Sequence, residues 1–196
     1  STSVNLILFI MGVSGCKRFF RLSFYIILFL SMIMSSLANS AGNVSSEYKL
    51  KAALLYKLTK FVEWPADQQN KKVFGLCVLG DNPFDQLLET LESRKVAKKA
   101  IFVHYFELSE AVKDDCDLVF ISYSKQAFLK SILENLKGKP VLTVGDSNGF
   151  SDQGGVIELT SGKRIGFKIN IKRARENGLK IAAPLLQLAT IVESQD

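Results

Sequence analysis

The amino-acid sequence predicts one α/β domain with a mostly parallel sheet and an antiparallel hairpin at one edge of that sheet. Continuous apolar runs at residues 73–80, 118–122 and 141–145 predict strands that are buried on both faces, as in parallel sheets. Helical apolar periodicity lies between these runs, and glycine or proline turn signals separate the two kinds of segment. No repeat, low-complexity stretch or internal linker interrupts residues 42–196, so a single domain is expected there.

The first predicted element of that domain is an amphipathic helix over residues 45–65. Ser45 or Ser46 is suited to cap its start, and Pro65 prevents the helix from continuing. Apolar residues recur at helical spacing and are expected to form the buried stripe. They are Leu50, Leu54, Leu58 and Phe61, with Leu55 and Val62 widening the stripe. The helix is expected to end beside Trp64, the only tryptophan of the chain.

The later elements alternate between strand and helix. Such alternation favours crossover connections and hence a parallel sheet. The predicted helices are residues 83–91, a short helix or turn at 107–113, residues 124–136 and a last helix from Pro184 through Ile191. The further predicted strands are residues 101–105 and the two arms of the hairpin, 156–159 and 165–169. Residues 146–155 are rich in turn-forming residues and predict a loop.

Residues 1–41 predict a targeting segment that is not part of the fold. A basic region is followed by the apolar run 22–37 and then by small residues that fit signal-peptidase cleavage after Ala38 or Ser40. The basic residues are Lys17, Arg18 and Arg21. An uncleaved membrane anchor is the alternative, although the apolar run is short for a membrane span. The sequence therefore predicts a periplasmic protein that is exported by a cleaved signal.

The net charge of the exported part is small. The whole chain has 25 Lys and Arg against 19 Asp and Glu, which gives a net charge of +6. Three of the 25 cations and none of the acids precede residue 41, so 22 cations and 19 acids remain, with a net charge of +3. A nucleic-acid-binding protein typically carries a dense stripe of Lys and Arg. We therefore expect no nucleic-acid partner.

Two cysteines, Cys77 and Cys116, remain after the targeting segment is removed. An even number of cysteines in an oxidising compartment favours a disulfide. Each cysteine lies in or at the start of a predicted strand, and a parallel sheet could bring those strands within bridging distance. Two buried free thiols are the alternative.

The sequence lacks the motifs of common catalytic sites, so we expect a protein that is not an enzyme. It contains no nucleotide-binding glycine motif, no nucleophile elbow and no zinc-protease motif. A single histidine, His104, without a nearby cysteine cannot assemble a typical zinc site. We expect neither a metal nor a cofactor. Four aspartates lie near strand ends, where α/β proteins bind ligands, but turn chemistry accounts for them equally well. They are Asp81, Asp85, Asp146 and Asp152.

Five segments, in order along the chain, resemble the YfiR family. They are KAALLYKLTKFVEWP, CVLGDNPF, CDLVFIS, PVLTVGDSNGFSDQGGVIEL and FKINIKRARENGLKIAAPLLQLA. The resemblance extends from about Tyr48 to Ala189, and its most specific parts are Phe-x-x-Trp-Pro and Ile-Asn-x-x-x-Ala. It implies a small periplasmic α/β/α sandwich, Rossmann-like but without catalytic activity, that typically forms a homodimer.

The resemblance also implies a function. Proteins of the YfiR family restrain a diguanylate cyclase of the inner membrane by binding its periplasmic sensor domain, which lowers cyclic di-GMP and biofilm output. The resemblance further implies that Cys77 and Cys116 form the family's bridged pair. Some relatives have a second pair after the loop at 146–155, where this chain has no cysteine.

Residues of the two most specific motifs are the expected contacts with the cyclase. An interface of this kind needs exposed aromatic or apolar side chains with a few charges at its rim. The expected contacts are Glu63, Trp64, Pro65, Asn170, Lys172, Arg173 and Arg175. Each has a structural alternative: Trp64 could pack in the core, Asn170 could cap a helix, and the three cations could be solvated surface.

A periplasmic small-molecule-binding receptor without a cyclase partner is the second functional hypothesis. Its pocket would lie at the strand ends, near residues 80–83 and the glycine-containing loop 148–155, whose backbone N–H groups could hold an anion. A small-molecule effector is also compatible with the regulator hypothesis, since a ligand could release the cyclase.

Overall fold

The computed structural model describes residues 38–107, 112, 115–162 and 165–192. The basic and apolar parts of the predicted targeting segment lie outside these residues, as does most of the predicted helix at 107–113, and both remain predictions. Signal cleavage also remains a prediction. None of the helices among the described residues is both long and apolar enough to cross a membrane.

The described residues form five α-helices and ten strands. The helices are α1 (Ala38–Leu58), α2 (Ala66–Gln69), α3 (Leu129–Asn135), α4 (Ile171–Glu176) and α5 (Ala183–Leu188). The first five strands are β1 (Val62–Glu63), β2 (Val73–Leu79), β3 (Lys95–Val96), β4 (Lys99–Phe106) and β5 (Leu118–Ile121). The others are β6 (Leu142–Gly145), β7 (Ile157–Thr160), β8 (Gly166–Asn170), β9 (Lys180–Ile181) and β10 (Thr190–Val192). A 3₁₀ helix, Tyr123–Phe128, leads directly into α3.

Eight of these strands form one mostly parallel sheet in the order β10-β8-β7-β6-β5-β2-β4-β3, and β1 pairs separately with β9. Strands β4, β2, β5, β6 and β7 run parallel to one another, and the short strand β3 pairs antiparallel with β4. Strands β7 and β8 form the predicted antiparallel hairpin toward one edge, and the short strand β10 adds outside it. The sheet confirms the predicted α/β fold class.

The two faces of the sheet carry separate hydrophobic clusters, each covered by helices. Leu76 of β2 belongs to the cluster that includes Leu55 of α1. The next residue, Cys77, belongs to the opposite cluster with Leu133 of α3, because successive strand residues point to opposite faces. All residues of both clusters lie within the compact unit Tyr48–Asp196. That unit therefore carries its own core, and the α/β/α arrangement is confirmed.

Helix α1 differs from its prediction at both ends. It begins at Ala38, so Ser45 and Ser46 lie inside the helix and do not cap it. It ends at Leu58, and the chain becomes extended in β1 instead of remaining helical up to Pro65. The extended conformation is favoured because β1 gains backbone hydrogen bonds to β9, a partner that is distant in the sequence.

The buried stripe of α1 is also rotated from the predicted one. Leu55 and Leu58 are buried as predicted, but Leu50 is 56% exposed. Lys51 is buried in its place, and its ammonium group lies 2.7 Å from the carboxylate of Asp146, which follows β6. The apolar spacing could not identify this face, because the buried ion pair depends on a residue from another element.

Two other predicted helices are shorter than expected. Residues 83–91 form turns with a single 3₁₀ turn at Glu89–Leu91, since Asp85 adopts a left-handed φ of 55° that interrupts a helix. The Asn82 side chain stabilises this turn by donating a hydrogen bond to the Asp85 carbonyl at 2.8 Å. The last helix, α5, ends at Leu188, and the residues up to Val192 form β10 instead.

Cys77 and Cys116 form a disulfide, with their Cα atoms 5.8 Å apart. Cys77 lies in β2, and Cys116 lies two residues before β5, which is the parallel neighbour of β2. Both residues are buried. The bridge confirms the predicted pairing and excludes the alternative of two free thiols.

Candidate partner-binding site

The two-stranded sheet of β1 and β9 places the two predicted binding motifs side by side. Glu63 of β1 pairs with Lys180 of β9 in antiparallel register. Strand β9 follows α4 after a short turn, in which Gly178 lies so close to Pro65 that an added Cβ would be 3.1 Å from the proline ring. The segment at Glu63–Pro65 and the turn that follows α4 are therefore neighbours in space.

Trp64 is half-buried and anchors this segment to the main sheet. Its indole Nε1 donates a hydrogen bond to the Asp117 carbonyl oxygen at 3.1 Å. Its ring meets Phe74 of β2 edge to face, with the ring centroids 5.1 Å apart. Trp64 thus packs against the core, as the structural alternative proposed, and also keeps part of its ring at the surface.

Asn170 is fully buried and has the capping role that was its structural alternative. Its side-chain oxygen accepts a hydrogen bond from the Arg173 backbone N–H at 2.9 Å, and its Nδ2 donates to the Ser151 carbonyl at 3.0 Å. The Ser151 N–H and hydroxyl both donate to the buried Glu158 carboxylate, which also pairs with Lys168. Burial acts to raise the pKa of Glu158, but these hydrogen bonds outweigh it and leave the pKa below its usual value. Asn170 therefore fixes the start of α4 and does not reach the surface.

Arg173 is also buried, with 6% of its surface exposed. One guanidinium nitrogen lies 3.0 Å from a carboxylate oxygen of Glu134, and Nε lies 3.7 Å from Glu176. The Arg173 hydrogen bond lowers the pKa of Glu134. A Cβ added to Gly154 would lie 2.6 Å from this guanidinium, so the absence of a side chain at Gly154 makes room for it. Arg173 joins α4 to α3 and to the loop before β7.

The remaining predicted contacts are accessible. Glu63, Lys172 and Arg175 are exposed, and Pro65 is half-buried. The predicted site thus separates into buried residues that position α4 and accessible residues on its surface. This arrangement is suited to recognition of another macromolecule.

A cleft of about 370 Å³ opens beside Trp64 and includes residues that the sequence reasoning missed, among them Asp117 and Lys99. The buried Asp117 carboxylate accepts hydrogen bonds from the Gly75 N–H at 2.9 Å and from Lys71 Nζ at 3.2 Å. Burial raises the pKa of Asp117, and these two hydrogen bonds act against that rise. The sequence gives no sign that Asp117 differs from any other polar residue before a strand, because its partners come from distant segments.

The carboxyl-terminal ends of β2 and β5 form the switch point of the sheet, where α/β proteins commonly bind nucleotides. In this protein Ser124, which follows β5, lies against the backbone that follows β2. The Ser124 hydroxyl accepts a hydrogen bond from the Asp81 N–H at 2.9 Å, and a Cβ added to Gly80 would lie 2.5 Å from the same oxygen. Ser124 therefore lies against the backbone at residues 80–81, and the ligand pocket near residues 80–83 remains a prediction.

The loop before β7 is filled in the same way. The ring of Phe150 is fully buried, and Cβ atoms added to Gly145 and Gly155 would lie 2.4 Å and 2.0 Å from it. These two glycines allow the backbone to close over the ring. The loop at 148–155 is thus packed by its own aromatic side chain, and its use of backbone N–H groups to hold an anion remains a prediction.

Other polar residues considered as ligand contacts have partners within the fold. Asp146 binds Lys51 of α1. His104 lies between Phe102 and Phe106 on β4, with ring centroids 4.8 Å and 5.9 Å away. In the part of the chain that the structure describes, no three His, Cys, Asp or Glu side chains are grouped so that they could hold a metal ion.

Comparison with known proteins identifies the fold and the family. The fold is similar to that in a crystal structure of a conserved domain protein from Vibrio cholerae O1 biovar El Tor, with a TM-score of 0.51 and 11% sequence identity. The similarity covers 74% of this chain and 59% of that protein, and at this identity it shows the fold alone. No curated protein sequence matches the chain significantly. A family model described as YfiR/HmsC-like matches residues 48–190, which contain every residue of the predicted site. The chain therefore belongs to the YfiR/HmsC-like family.

Proposed function

We propose that this protein binds the periplasmic sensor domain of an inner-membrane diguanylate cyclase and thereby restrains cyclic di-GMP synthesis. The proposed contact surface consists of Glu63, Trp64, Pro65, Lys172 and Arg175, and is called the β1–α4 surface below. Asn170 and Arg173 support it from the interior.

The observation that carries this proposal is the pairing of β1 with β9. The motifs Phe-x-x-Trp-Pro and Ile-Asn-x-x-x-Ala are more than 100 residues apart in the chain, yet the pairing makes them neighbours. A half-exposed tryptophan beside exposed charges also has the composition of a recognition surface, in which an aromatic anchor is surrounded by polar groups.

A protein without catalytic groups can restrain an enzyme only by binding its states with different affinities. If the β1–α4 surface binds the inactive state of the sensor domain more tightly, the bound cyclase population shifts toward that state. Any ligand or redox change that weakens the contact releases the cyclase by the same linkage.

A charge-reversal variant tests this proposal in the host cell. Lys172→Glu with Arg175→Glu changes exposed residues of the proposed surface, so folding should be retained. In a strain that lacks the chromosomal gene, the wild type should lower cyclic di-GMP and this variant should not. The matched control is Lys130→Glu with Lys139→Glu, which changes the same charge at exposed positions elsewhere and should behave as wild type.

A binding measurement completes the test. Residues 42–196, immobilised and exposed to solubilised membranes of the host, should capture an inner-membrane protein that carries a diguanylate cyclase domain. The Lys172→Glu/Arg175→Glu variant should not capture it. If wild type and variant capture the cyclase equally and lower cyclic di-GMP equally, the β1–α4 surface is not the contact. If the wild type captures no cyclase, the proposed function fails. The same capture under reducing conditions shows whether binding needs the Cys77–Cys116 bridge.

We also propose that the protein is a homodimer, as its family resemblance implies. Light scattering coupled to size-exclusion chromatography of residues 42–196 tests this directly. A mass of one chain at micromolar concentration would contradict it.

The cleft beside Trp64 favours a second candidate function, the binding of a small molecule. Its volume of about 370 Å³ lies in the range of small-ligand pockets, and its lining combines aromatic rings with Asp117 and Lys99. Because Glu63 and Trp64 line the cleft as well, a ligand there would alter the β1–α4 surface and could act as the releasing effector. A thermal-shift screen with small charged metabolites tests this, since a bound ligand raises the melting temperature. The same ligand should lose its effect on Lys99→Ala.

A further inference from the structure

The outer face of α1 carries exposed apolar and cationic side chains that the proposed function does not use. Lys49 and Lys57 are exposed on the helix, two turns apart. Leu50, on the same helix, is 56% exposed, and Phe61, just beyond its end, is 37% exposed. Two large apolar side chains thus stand beside two cations along one exposed stretch of chain.

A groove of about 360 Å³ runs between this face and residues 87–94. Part of the groove lining is apolar, and the small alanine side chains of α1 leave space for the groove. These apolar lining residues are Ala52, Ala53, Leu87 and Leu91. The charged residues along the groove are Lys49, Lys57 and Arg94, and no carboxylate lines it. Within the described residues, none of these three cations forms an ion pair.

The acidic residues of the neighbouring segment are turned away from the groove. Glu89 accepts a hydrogen bond from the Tyr105 hydroxyl at 2.7 Å. Glu92 accepts one from the Val103 backbone N–H at 3.1 Å. Both carboxylates are therefore engaged by β4, and only the cation of this segment, Arg94, faces α1. The groove keeps its positive charge although the segment as a whole is not basic.

Tyr56 also lines this groove, and two cations lie close to its ring. Lys60 and Arg94 lie over its ring, 4.7 Å and 5.0 Å from the centroid. The hydrogen bond from Lys60 is the main cause that lowers the pKa of the Tyr56 hydroxyl, and Arg94 adds to the effect. Tyrosine has an apolar ring and a polar hydroxyl, and it is enriched at membrane–water interfaces.

We propose that this face binds a membrane surface that contains anionic phospholipids. The cations Lys49, Lys57 and Arg94 would contact lipid phosphates, and Leu50 and Phe61 would enter the interfacial region. Cations and large apolar side chains together are the features by which surface helices bind in the plane of a membrane. Here Lys49, Lys57 and Leu50 lie on α1, whereas Phe61 follows its end and Arg94 lies across the groove. An anionic bilayer surface offers both phosphates for the cations and an apolar interfacial layer for Leu50 and Phe61. The inference is independent of the cyclase, although membrane binding would concentrate the protein near any inner-membrane partner.

Vesicle sedimentation with residues 42–196 tests the inference without the targeting segment. This part of the chain contains the complete compact unit from Tyr48 onward. It should sediment with equimolar phosphatidylglycerol and phosphatidylcholine vesicles, and much less with phosphatidylcholine alone. Each cation at an anionic surface contributes roughly fivefold to the partition coefficient, so Lys49→Glu with Lys57→Glu should lower it by about 25-fold or more.

Two comparisons separate the membrane from other anions. Lys130→Glu with Lys139→Glu has the same net charge as the test variant and should retain most of the binding. Leu50→Ser with Phe61→Ser keeps every cation and should weaken binding to vesicles while leaving binding to soluble poly-aspartate unchanged. Far-UV circular dichroism and thermal unfolding confirm that each variant is folded.

Three results would overturn the inference. The first is equal sedimentation with both kinds of vesicle. The second is an equal loss of binding in the control and test charge variants, which would reflect net charge alone. The third is vesicle binding that is unaffected by the Leu50→Ser/Phe61→Ser change, which would identify a general anion-binding face that suits a soluble acidic protein.

Discussion

Removal of the Cys77–Cys116 bridge should cost this protein a large part of its stability. The perturbation is the double variant Cys77→Ala/Cys116→Ala, which removes both sulfurs and leaves no free thiol in residues 42–196. The bridge joins β2 to the segment before β5, at the centre of the sheet. Its loss releases a constraint that the unfolded chain would otherwise retain.

The magnitude follows from the length of the closed loop. The two cysteines are separated by 39 residues. A loop of that length reduces the entropy of the unfolded chain by roughly 13 cal/mol/K, which is about 3.9 kcal/mol at 25 °C. Both cysteines are buried, so their replacement by alanine also leaves a small cavity that costs on the order of 1 kcal/mol. The total expected loss is about 4–5 kcal/mol.

Urea unfolding followed by tryptophan fluorescence measures this loss. Trp64 is the only tryptophan, and its half-buried ring, held by Asp117 and Phe74, will change environment on unfolding. With a urea m-value of roughly 2 kcal/mol/M, the unfolding midpoint should fall by about 2 M. Wild-type protein unfolded and refolded in a reductant is the control, and its midpoint should lie about 0.5 M above that of the double variant, because it lacks the bridge but has no cavity.

A small shift would refute the reasoning. If the midpoint of the double variant lies within about 0.5 M of the oxidised wild type, the bridge contributes less than roughly 1 kcal/mol. The unfolded chain would then retain contacts between β2 and β5 without the bridge. A redox effect on cyclase binding could in that case not be explained through stability.

Three further changes test the buried polar groups. Asp146→Asn removes the carboxylate that pairs with buried Lys51, so the free energy of unfolding measured by urea titration should fall by roughly 3–5 kcal/mol. The double variant Lys51→Met with Asp146→Leu removes both charges and should recover most of this loss. Asn170→Ala removes the cap of α4 and its hydrogen bond to the Ser151 carbonyl, and should cost about 2–3 kcal/mol in the same assay and weaken capture of the cyclase. Glu158 has a pKa below its ordinary value of 4.5 in the folded protein, so it stabilises the fold above that pH and loses this contribution as pH falls through the folded pKa. The free-energy difference between wild type and Glu158→Gln should therefore be largest near neutral pH and shrink in acid; a difference that is constant with pH would contradict this assignment.

Much of the fold was predictable because its signals are local. The apolar runs of β2, β5 and β6 identify buried strands without knowledge of their neighbours. The hairpin of β7 and β8 follows from two apolar segments around a short polar turn. Paired cysteines in a chain that is predicted to be exported favoured the disulfide for chemical reasons. The resemblance to the family rests on ordered motifs and agrees with the family match over residues 48–190.

The site was predictable only in part. The two motifs were identified, and the structure brings them together, but sequence alone did not separate their surface residues from their interior ones. Asn170 and Arg173 read as polar surface residues because their partners, Ser151 and Glu134, lie in other elements. The cleft beside Trp64 had no sequence signal, since its lining comes from four separate segments.

The sequence by itself determined which segments are apolar, where turns interrupt them and which cysteines can pair. Only the tertiary structure decided which face of α1 is buried, why the segment before Pro65 is extended, and which residue lies against the end of β2. The physical reason is the same in each case. Local propensity differs by less than about 1 kcal/mol between most residues, whereas a buried ion pair, a strand pairing or a filled cavity involves several kcal/mol from residues distant in the chain. Those distant contacts placed Lys51 inside and turned β1 toward β9.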